Sequence, residues 1–420
     1  MQKNLSFFFK RLVGKLWFRP LIFCLLSIGG ALIAHLADQS FLTDLVPNID
    51  KSSLEDLLST ISASMLVIAI FAVGSMLSAF SAASSTATPR SFELVVADDV
   101  SQNALSTFVG AFIFSIVGSI ALKNGYYGEA GYFTLFVLTI LVFAGVILVF
   151  LRWVERISKL GRLEHTITRV EAATVRAFRE ELNTPRLGGV PDSARADRGQ
   201  ALFSSRIGYV QHIRMDKIQE LAEELDLRVT LSALPGTFVS PDKSLLNFHS
   251  EKKPLSDEHK AAFDKAFVIE NTRSFHNDPR FGLIALSEIA SRALSPGIND
   301  PGTAIAIIGS HVRLFSIWLD KDAQPSSPDA LYDRIEVPAI KMADAFEDAF
   351  RPIARDGAGS IEVMLRLQKA FTTIAHVGDR EAKALASAYS EEAYRRAELA
   401  MEFGPDLDKL RSASLFAGEV

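Results

Sequence analysis

The chain holds one cysteine, Cys24, inside an apolar run, so neither an internal disulfide nor a cysteine-based zinc site can form. Its eight histidines are scattered, without the spacing of an HExxH zinc helix. A Gly-x-Ser-x-Gly elbow, a Walker loop and a dinucleotide glycine fingerprint are also missing. No enzyme, metal site or cofactor is therefore expected. An excess of one charge is absent as well: 44 basic residues meet 49 acidic ones, which excludes a general nucleic-acid binder or polyanion mimic. The long apolar runs carry no Asp, Glu, Lys or Arg at mid-depth, which argues against a proton- or ion-coupled pump.

What the sequence does contain is hydrophobic length. Apolar residues make up 49% of the 420 residues, and mean hydropathy is +0.21. Four runs approach the roughly 20 residues needed to cross a bilayer: Pro20 to Ala37, Ile61 to Ala83, Leu105 to Leu122 and Tyr132 to Leu151. Backbone polar groups in lipid must be satisfied within the segment, so these runs are expected as helices. The first is short and holds His35; a cleaved signal peptide is its competing reading, although it lacks an A-x-A site. Lys3, Lys10, Arg11, Lys15 and Arg19 precede the first run, and Arg152, Arg156, Lys159, Arg162 and Arg169 follow the fourth. The loop between the first two runs is acidic, with Asp38, Asp44, Asp50, Glu55 and Asp56. The positive-inside rule and an even number of spans both place the two termini in the cytoplasm. Trp17, Trp153, Tyr126, Tyr127 and Tyr132 fall at run edges, where interfacial aromatics belong.

In the second run Ser64, Ser75, Ser78 and Ser85 fall near one helical face, beside Gly74 and Ala82. Close helix packing through small residues is one reading. A weakly polar pore lining formed by Ser64, Ser75 and Ser78 in an oligomer is the other. Gly110, Gly118 and Ser119 in the third run read in the same two ways, with packing the first. In the loop from Ser84 to Leu105, Pro89 ends the preceding helix, and Asp98 and Asp99 suit either a turn with helix-start acids or a gate.

Beyond Arg152 a helical pattern continues to Leu182 as one expected rod, followed by a Pro- and Gly-rich linker from Asn183 to Gln200. A small β-rich module follows. "ALFSS", "IGYVQHI" and "LRVTLSAL" read as strands, "MDKIQELAEEL" as a helix, and "PGTFVSPDKSLLNF" as two turns and two strands. Ser205 to His249 can close a compact sheet, with Gly208 and Gly236 in turns or close to a ligand. Residues after Ser256 read as mostly helical. There the tripeptide Asn-Asp-Pro occurs twice, in "HNDPRFG" and "SPGINDPGTA". Asp278 and Asp300 are placed as helix caps, each with Pro at the first helical position. Arg273, His276, Arg280, Arg292, Ser295, Asn299 and Thr303 crowd the two starts. A helix N-terminus favours anions, so Arg273, His276, Arg292, Ser295, Asn299 and Thr303 form a possible anion-binding group. The capping aspartates compete for the same positions.

The strings "SSTATPRSFELVVADDVSQNALSTFVGAFIFS", "IGYVQHI", "PGTFV" and "RSFHNDPRFGLIALSEIASRALSPGINDPGTA" make the chain resemble a bacterial family of predicted membrane proteins, domain of unknown function 2254. The resemblance covers nearly the whole chain. It implies a bacterial inner-membrane protein and assigns no activity, cofactor or catalytic residue. The expected fold is membrane α-helical, with four transmembrane helices followed by a cytoplasmic α+β domain. Its segments are an amphipathic cytoplasmic N-terminus (1–19), a transmembrane domain (20–153), a helical extension and linker (154–200), a β-rich module (201–250) and a helical domain (251–420). The expected partners are the lipid bilayer, further copies of the chain and a small anionic ligand, with no nucleic acid. Two functions fit: an oligomeric channel-like or passive transport protein gated by its cytoplasmic domain, or a membrane-anchored sensor or scaffold binding an anionic ligand or a protein.

Overall fold

Helix formation in the first third follows the apolar runs. In the computed structural model the chain divides into two units, Met1–Thr166 and Ile167–Val420. The residues described are 18–37, 47, 49–96, 99–159, 162–192, 199–249, 255–320 and 330–418. Most of the amphipathic N-terminus, Asp98, part of the linker, most of the "KDAQPSSPDA" loop and the side chains of His35 and Ser85 lie outside them.

The first unit contains α1 (Phe18–Ala37), α2 (Lys51–Thr86), α3 (Phe92–Val96), α4 (Asp99–Lys123) and α5 (Glu129–Ile157). Among the described residues α2, α4 and α5 are long and apolar enough to cross a membrane, and α1 contributes a shorter apolar stretch, Pro20–Gly30. The Asp50 carboxylate starts α2 by accepting the Ser53 N–H at 3.0 Å. Pro89 follows the end of α2 and opens a 3-10 turn, Pro89–Ser91, capped by Thr88. Helix α4 packs against α1, α2 and α5. Its glycines permit this approach: a Cβ on Gly110 would meet Phe23 Cβ at 3.0 Å, and one on Gly118 would meet Leu135 at 3.4 Å.

The surface of this unit is inverted relative to that of a water-soluble bundle. Leu66, Val67, Ile70 and Phe71 on α2, and Leu141, Leu148 and Leu151 on α5, are exposed. Ser101, Gln102, Ser106, Ser115 and Thr139 are buried. The Ser106 and Thr139 hydroxyls donate back to the Gln102 and Leu135 carbonyls at 2.6 and 2.7 Å. In water this arrangement leaves a large apolar surface wet. In hydrocarbon it costs nothing, because lipid tails are as apolar as leucine. Two expected interfacial aromatics turn inward instead: Tyr127 is buried, and Trp153 sits among Phe71, Phe108 and Phe150 with ring centroids 6.0–6.2 Å away. Tyr126 is exposed. The single rod expected after Arg152 is two helices, because α5 ends at Ile157 and α6 (Leu163–Asn183) begins afresh.

The second unit is α+β. In chain order its elements are β1 (Gly189–Pro191), β2 (Gln200–Phe203), β3 (Gly208–Ile213), α7 (Met215–Glu224), β4 (Arg228–Leu231), β5 (Phe238–Val239) and β6 (Ser244–His249). Then come α8 (Asp257–Lys265), β7 (Phe267–Glu270), α9 (Pro279–Ala293), α10 (Pro301–Trp318) and β8 (Tyr332–Val337). The chain ends in α11 (Met342–Asp356), α12 (Ile361–Val377), α13 (Arg380–Ala400) and α14 (Gly404–Ser412). The strands expected between 201 and 249 form, but they do not close one sheet among themselves. One sheet has the order β1-β8-β4-β6-β2 and the other β5-β3-β7, so each recruits a strand from the region read as helical. Strand β8 runs parallel to both β1 and β4, and the remaining pairings are antiparallel. A shared core of Val210, Ile218, Val229, Leu246, Phe248, Phe263, Phe267 and Ile335 joins the two sheets to α7 and α8.

The helical part packs around Phe315, Phe346, Phe350 and Phe371, with ring centroids 4.9–5.4 Å apart. His311 is fully buried against Phe350, and burial lowers its imidazole to about 3. Ser287 donates to the Ala349 carbonyl at 2.9 Å, so it accepts from His311 Nε2–H at 3.2 Å. Thr174 on α6 presses against Gly282 on α9, where an added Cβ would lie 2.7 Å from Thr174 Cβ. The Thr174 hydroxyl is held by the Val170 carbonyl at 2.7 Å and cannot turn aside without losing that bond. Gly282→Ala is therefore expected to destabilise the protein by about 1–3 kcal/mol. Gly145→Ala, which meets nothing within 4 Å, should leave the melting temperature unchanged or raise it. Thermal melts of the full-length protein check both.

Candidate functional site

The two Asn-Asp-Pro tripeptides share one backbone geometry. Asn277 and Asn299 both adopt left-handed φ, 57° and 51°, which asparagine tolerates better than most residues. The following aspartate is the N-cap, and proline takes the first turn of α9 or α10. Asp278 accepts the Phe281 N–H, and Asp300 accepts the Thr303 N–H, each at 3.1 Å.

Their surroundings differ. Asp300 is half-buried, and the Thr303 hydroxyl donates to it at 2.5 Å, which holds its carboxyl below the usual range. Asp278 is buried and takes two bonds of 2.8 Å from Arg273 Nε and Nη2. Burial pushes the Asp278 carboxyl up, against the Arg273 and Phe281 bonds that favour its charged form. The Arg273 guanidinium also lies over the Phe281 ring, 5.3 Å from its centroid. Gly236, at φ 88°, comes so close to this pair that a Cβ there would stand 2.8 Å from Arg273 Nη2. Its absent side chain makes room for Arg273 and Asp278. One residue into α9, Arg280 bonds Asp348 at 2.6 Å and Asp344 at 2.7 Å.

Gly236, Arg273, Asp278, Arg280 and Asp344 line a cleft of about 460 Å³. Its other walls are the turn after α6, the Leu234–Thr237 turn and the segment from Val337 to Lys341. Arg186 and Leu187, in the turn after α6, have left-handed φ of 53° and 56°. Arg186, Leu187, Asn277 and Gly236 thus bring four of the chain's positive-φ positions to one cleft. Left-handed backbone at non-glycine residues is costly and concentrates at functional sites. Glu181, also lining the cleft, accepts the Arg186 N–H at 3.1 Å, and burial pushes its carboxyl up. The cationic ends of Arg186 and Lys341 make no hydrogen bond or ion pair among the described residues, and Arg186 Nε is buried without a partner.

The residues grouped from sequence are distributed differently. Arg273 and Asp278 line the cleft, whereas His276 is an exposed neighbour with its Nδ1 3.8 Å from Glu180. The Asn277 amide, turned so that both its ends are satisfied, donates to the same Glu180. Arg292, Ser295, Asn299 and Thr303 belong to the second helix start: Arg292 and Asn299 are exposed, Ser295 donates to the Arg292 carbonyl, and Thr303 serves the Asp300 cap. None of these four lines the cleft. On α2, Ser64 and Ser78 are exposed and Ser75 is half-buried. Ser75 and Ser78 border a groove of about 540 Å³ with Phe71, Gly74, Ala82 and Ile157. The cleft residues not foreseen from sequence are Glu181, Arg186 and Lys341. The one local signal was Pro185-Arg186-Leu187-Gly188-Gly189, which marks a turn and nothing more.

Residues 14–373 match the family described as "Predicted membrane protein (DUF2254)". An uncharacterized protein of Mycobacterium bovis and one of Mycobacterium tuberculosis strain H37Rv are each 25% identical over 314 residues, 71% of this chain and 59% of theirs. A third, from Mycobacterium tuberculosis strain CDC 1551, is 24% identical over the same length. The match thus spans less than two thirds of these relatives. No solved structure matches.

Two predictions follow from the site. Asp278→Ala strands a largely buried Arg273 and should cost about 3–5 kcal/mol, whereas Asp300→Ala loses an ordinary cap and should cost about 1 kcal/mol. Denaturation of both variants compares them. The raised carboxyl of Glu181 means that the native state holds its proton to higher pH than the unfolded chain does. Its contribution is fully present below the ordinary carboxylate range and is lost as pH rises through the elevated value. Glu181→Gln should therefore be more stable than the native protein near pH 8 and lose that advantage near pH 4. Paired melts across that range test this.

Proposed function

The chain belongs to the DUF2254 family of predicted membrane proteins, and on that premise we propose that it is a membrane-embedded receptor whose α+β unit binds a small anionic ligand. The observation that carries the reading is the cleft. It gathers Arg186, Arg273, Arg280 and Lys341, holds strained backbone around them, and leaves the cationic ends of Arg186 and Lys341 outside any ion pair among the described residues. Such a site is complete within one chain. Helix α1 serves as the fourth span in this reading, and both termini face the cytoplasm of a bacterial inner membrane. The basic flanks and the acidic first loop support that orientation.

A second reading, an oligomeric channel-like or passive transport protein gated by the α+β unit, draws on α2. Its small-residue face carries Ser64 and Ser78, exposed among the described residues, and the half-buried Ser75. Several chains around an axis would turn that face into a weakly polar lining. It ranks second because a pore needs the additional copies.

The deciding experiment uses full-length protein in nanodiscs and in liposomes. A panel of phosphates, nucleotides and organic acids is expected to raise the melting temperature for at least one compound, by about 2–3 kcal/mol in stability at a hundredfold excess over Kd. Lys341→Glu should abolish the shift. Ion flux from the liposomes, with no compound giving a shift, would support the second reading and reject the first.

A further inference from the structure

We infer that the cleft takes a phosphate monoester carried on an apolar body, an inference that rests on the receptor reading above. The charge pattern is the first support. Arg273 and Arg280 are already matched, the first by Asp278 and the second by Asp344 and Asp348. Arg186 and Lys341 are the cations left over. Glu181 accepts the Arg186 N–H at 3.1 Å, and burial pushes its carboxyl up against the attraction of the Arg186 guanidinium. Two cationic ends outside any ion pair favour a ligand with enough acceptor oxygens to reach both. A phosphate monoester carries about −1.5 to −2 at neutral pH and presents three acceptor oxygens. A carboxylate carries one charge and two oxygens. Arg186 supplies a planar fork and Lys341 a mobile point charge, a combination suited to a tetrahedral dianion.

The second support is the apolar part of the wall, made by Leu187, Leu234, Pro235 and Ile340. A bare inorganic ion leaves that wall wet. An alkyl or aryl body attached to the phosphate covers it and gains the free energy of apolar burial. A volume of about 460 Å³ fits an organic ligand of this size. Two sources present this chemistry, a water-soluble phosphomonoester and the phosphate end of phosphatidic acid.

Isothermal titration of full-length protein in nanodiscs of zwitterionic lipid, at neutral pH and low salt, tests the inference with hexyl phosphate, inorganic phosphate and hexanoate. Hexyl phosphate should bind at least about tenfold more tightly than the other two, and Arg186→Gln and Lys341→Gln should each weaken it about tenfold. Arg292→Gln, at the second helix start, should leave it unchanged. Melting curves establish that each variant is folded, and either cleft variant suffices if the other is not. Hexanoate binding as tightly as hexyl phosphate overturns the phosphate assignment while the receptor reading stands. Inorganic phosphate binding as tightly overturns the apolar body. If none of the three binds, the inference falls, whereas the receptor reading falls only if the wider anion panel also fails. Nanodiscs containing phosphatidic acid separate the sources: lost hexyl phosphate binding identifies the lipid, and retained binding identifies a soluble ligand.

Discussion

The contact on which the second unit turns is the pairing of Arg273 with Asp278. One carboxylate caps α9 through the Phe281 N–H, neutralises a guanidinium through two bonds, and fills the space left by the missing side chain of Gly236. Each role limits the others. The cap fixes where the carboxylate sits, the carboxylate fixes Arg273, and the pair then needs a backbone without Cβ opposite it. The Leu234–Thr237 turn precedes β5, so the start of a helix is tied to the edge of the three-stranded sheet. Such a buried pair adds little net stability but is expensive to break from one side. Its value here is positional: it holds one wall of the cleft while Arg186 and Lys341 stay uncommitted on the others.

The first unit obeys a different solvent. Ser106 and Thr139 point inward and return their hydroxyls to their own helices, while leucine, isoleucine, valine and phenylalanine cover the outside. With no hydrophobic force between helices in lipid, close approach must come from shape, and Gly110 and Gly118 provide it on α4. The same residue types on α2, around Gly74 and Ser78, have no such neighbour among the described residues. Small residues on two helices thus read alike in sequence and differ in space.

Features coded by adjacent residues were legible. The Asn-Asp-Pro starts declare themselves because cap and proline act within one turn, and "IGYVQHI" alternates as a strand should. Asn277 and Asn299 concealed their left-handed φ only because Asn is permissive rather than obligatory there. Features assembled from distant segments were not legible. β7 is four residues long, and β8, "YDRIEV", is surrounded by helical sequence while its partners β1 and β4 lie more than a hundred residues earlier. The cleft has the same character. Arg273 and Asp278 could be picked out beside a helix start, but Arg186 sat in a stretch read as linker, and nothing local to Lys341 distinguishes it from a surface lysine. Trp153 shows the limit of position along the chain: at the edge of a run it suggests the interface, yet Phe71, Phe108 and Phe150 enclose it.

Strand β8 lies between β1 and β4 in the five-stranded sheet, parallel to both. During synthesis, β1 and β4 therefore leave the ribosome long before the strand that separates them. Until Val337 has emerged, each carries an open edge of unpaired amides and carbonyls, the kind of surface that recruits foreign strands. Non-local pairing of this sort is also slow to form, because the loop must close before any contact rewards it. The nascent chain thus passes through an interval of enforced incompleteness, and a ribosome that stalls before Tyr332 releases a product with sticky margins rather than a smaller working protein.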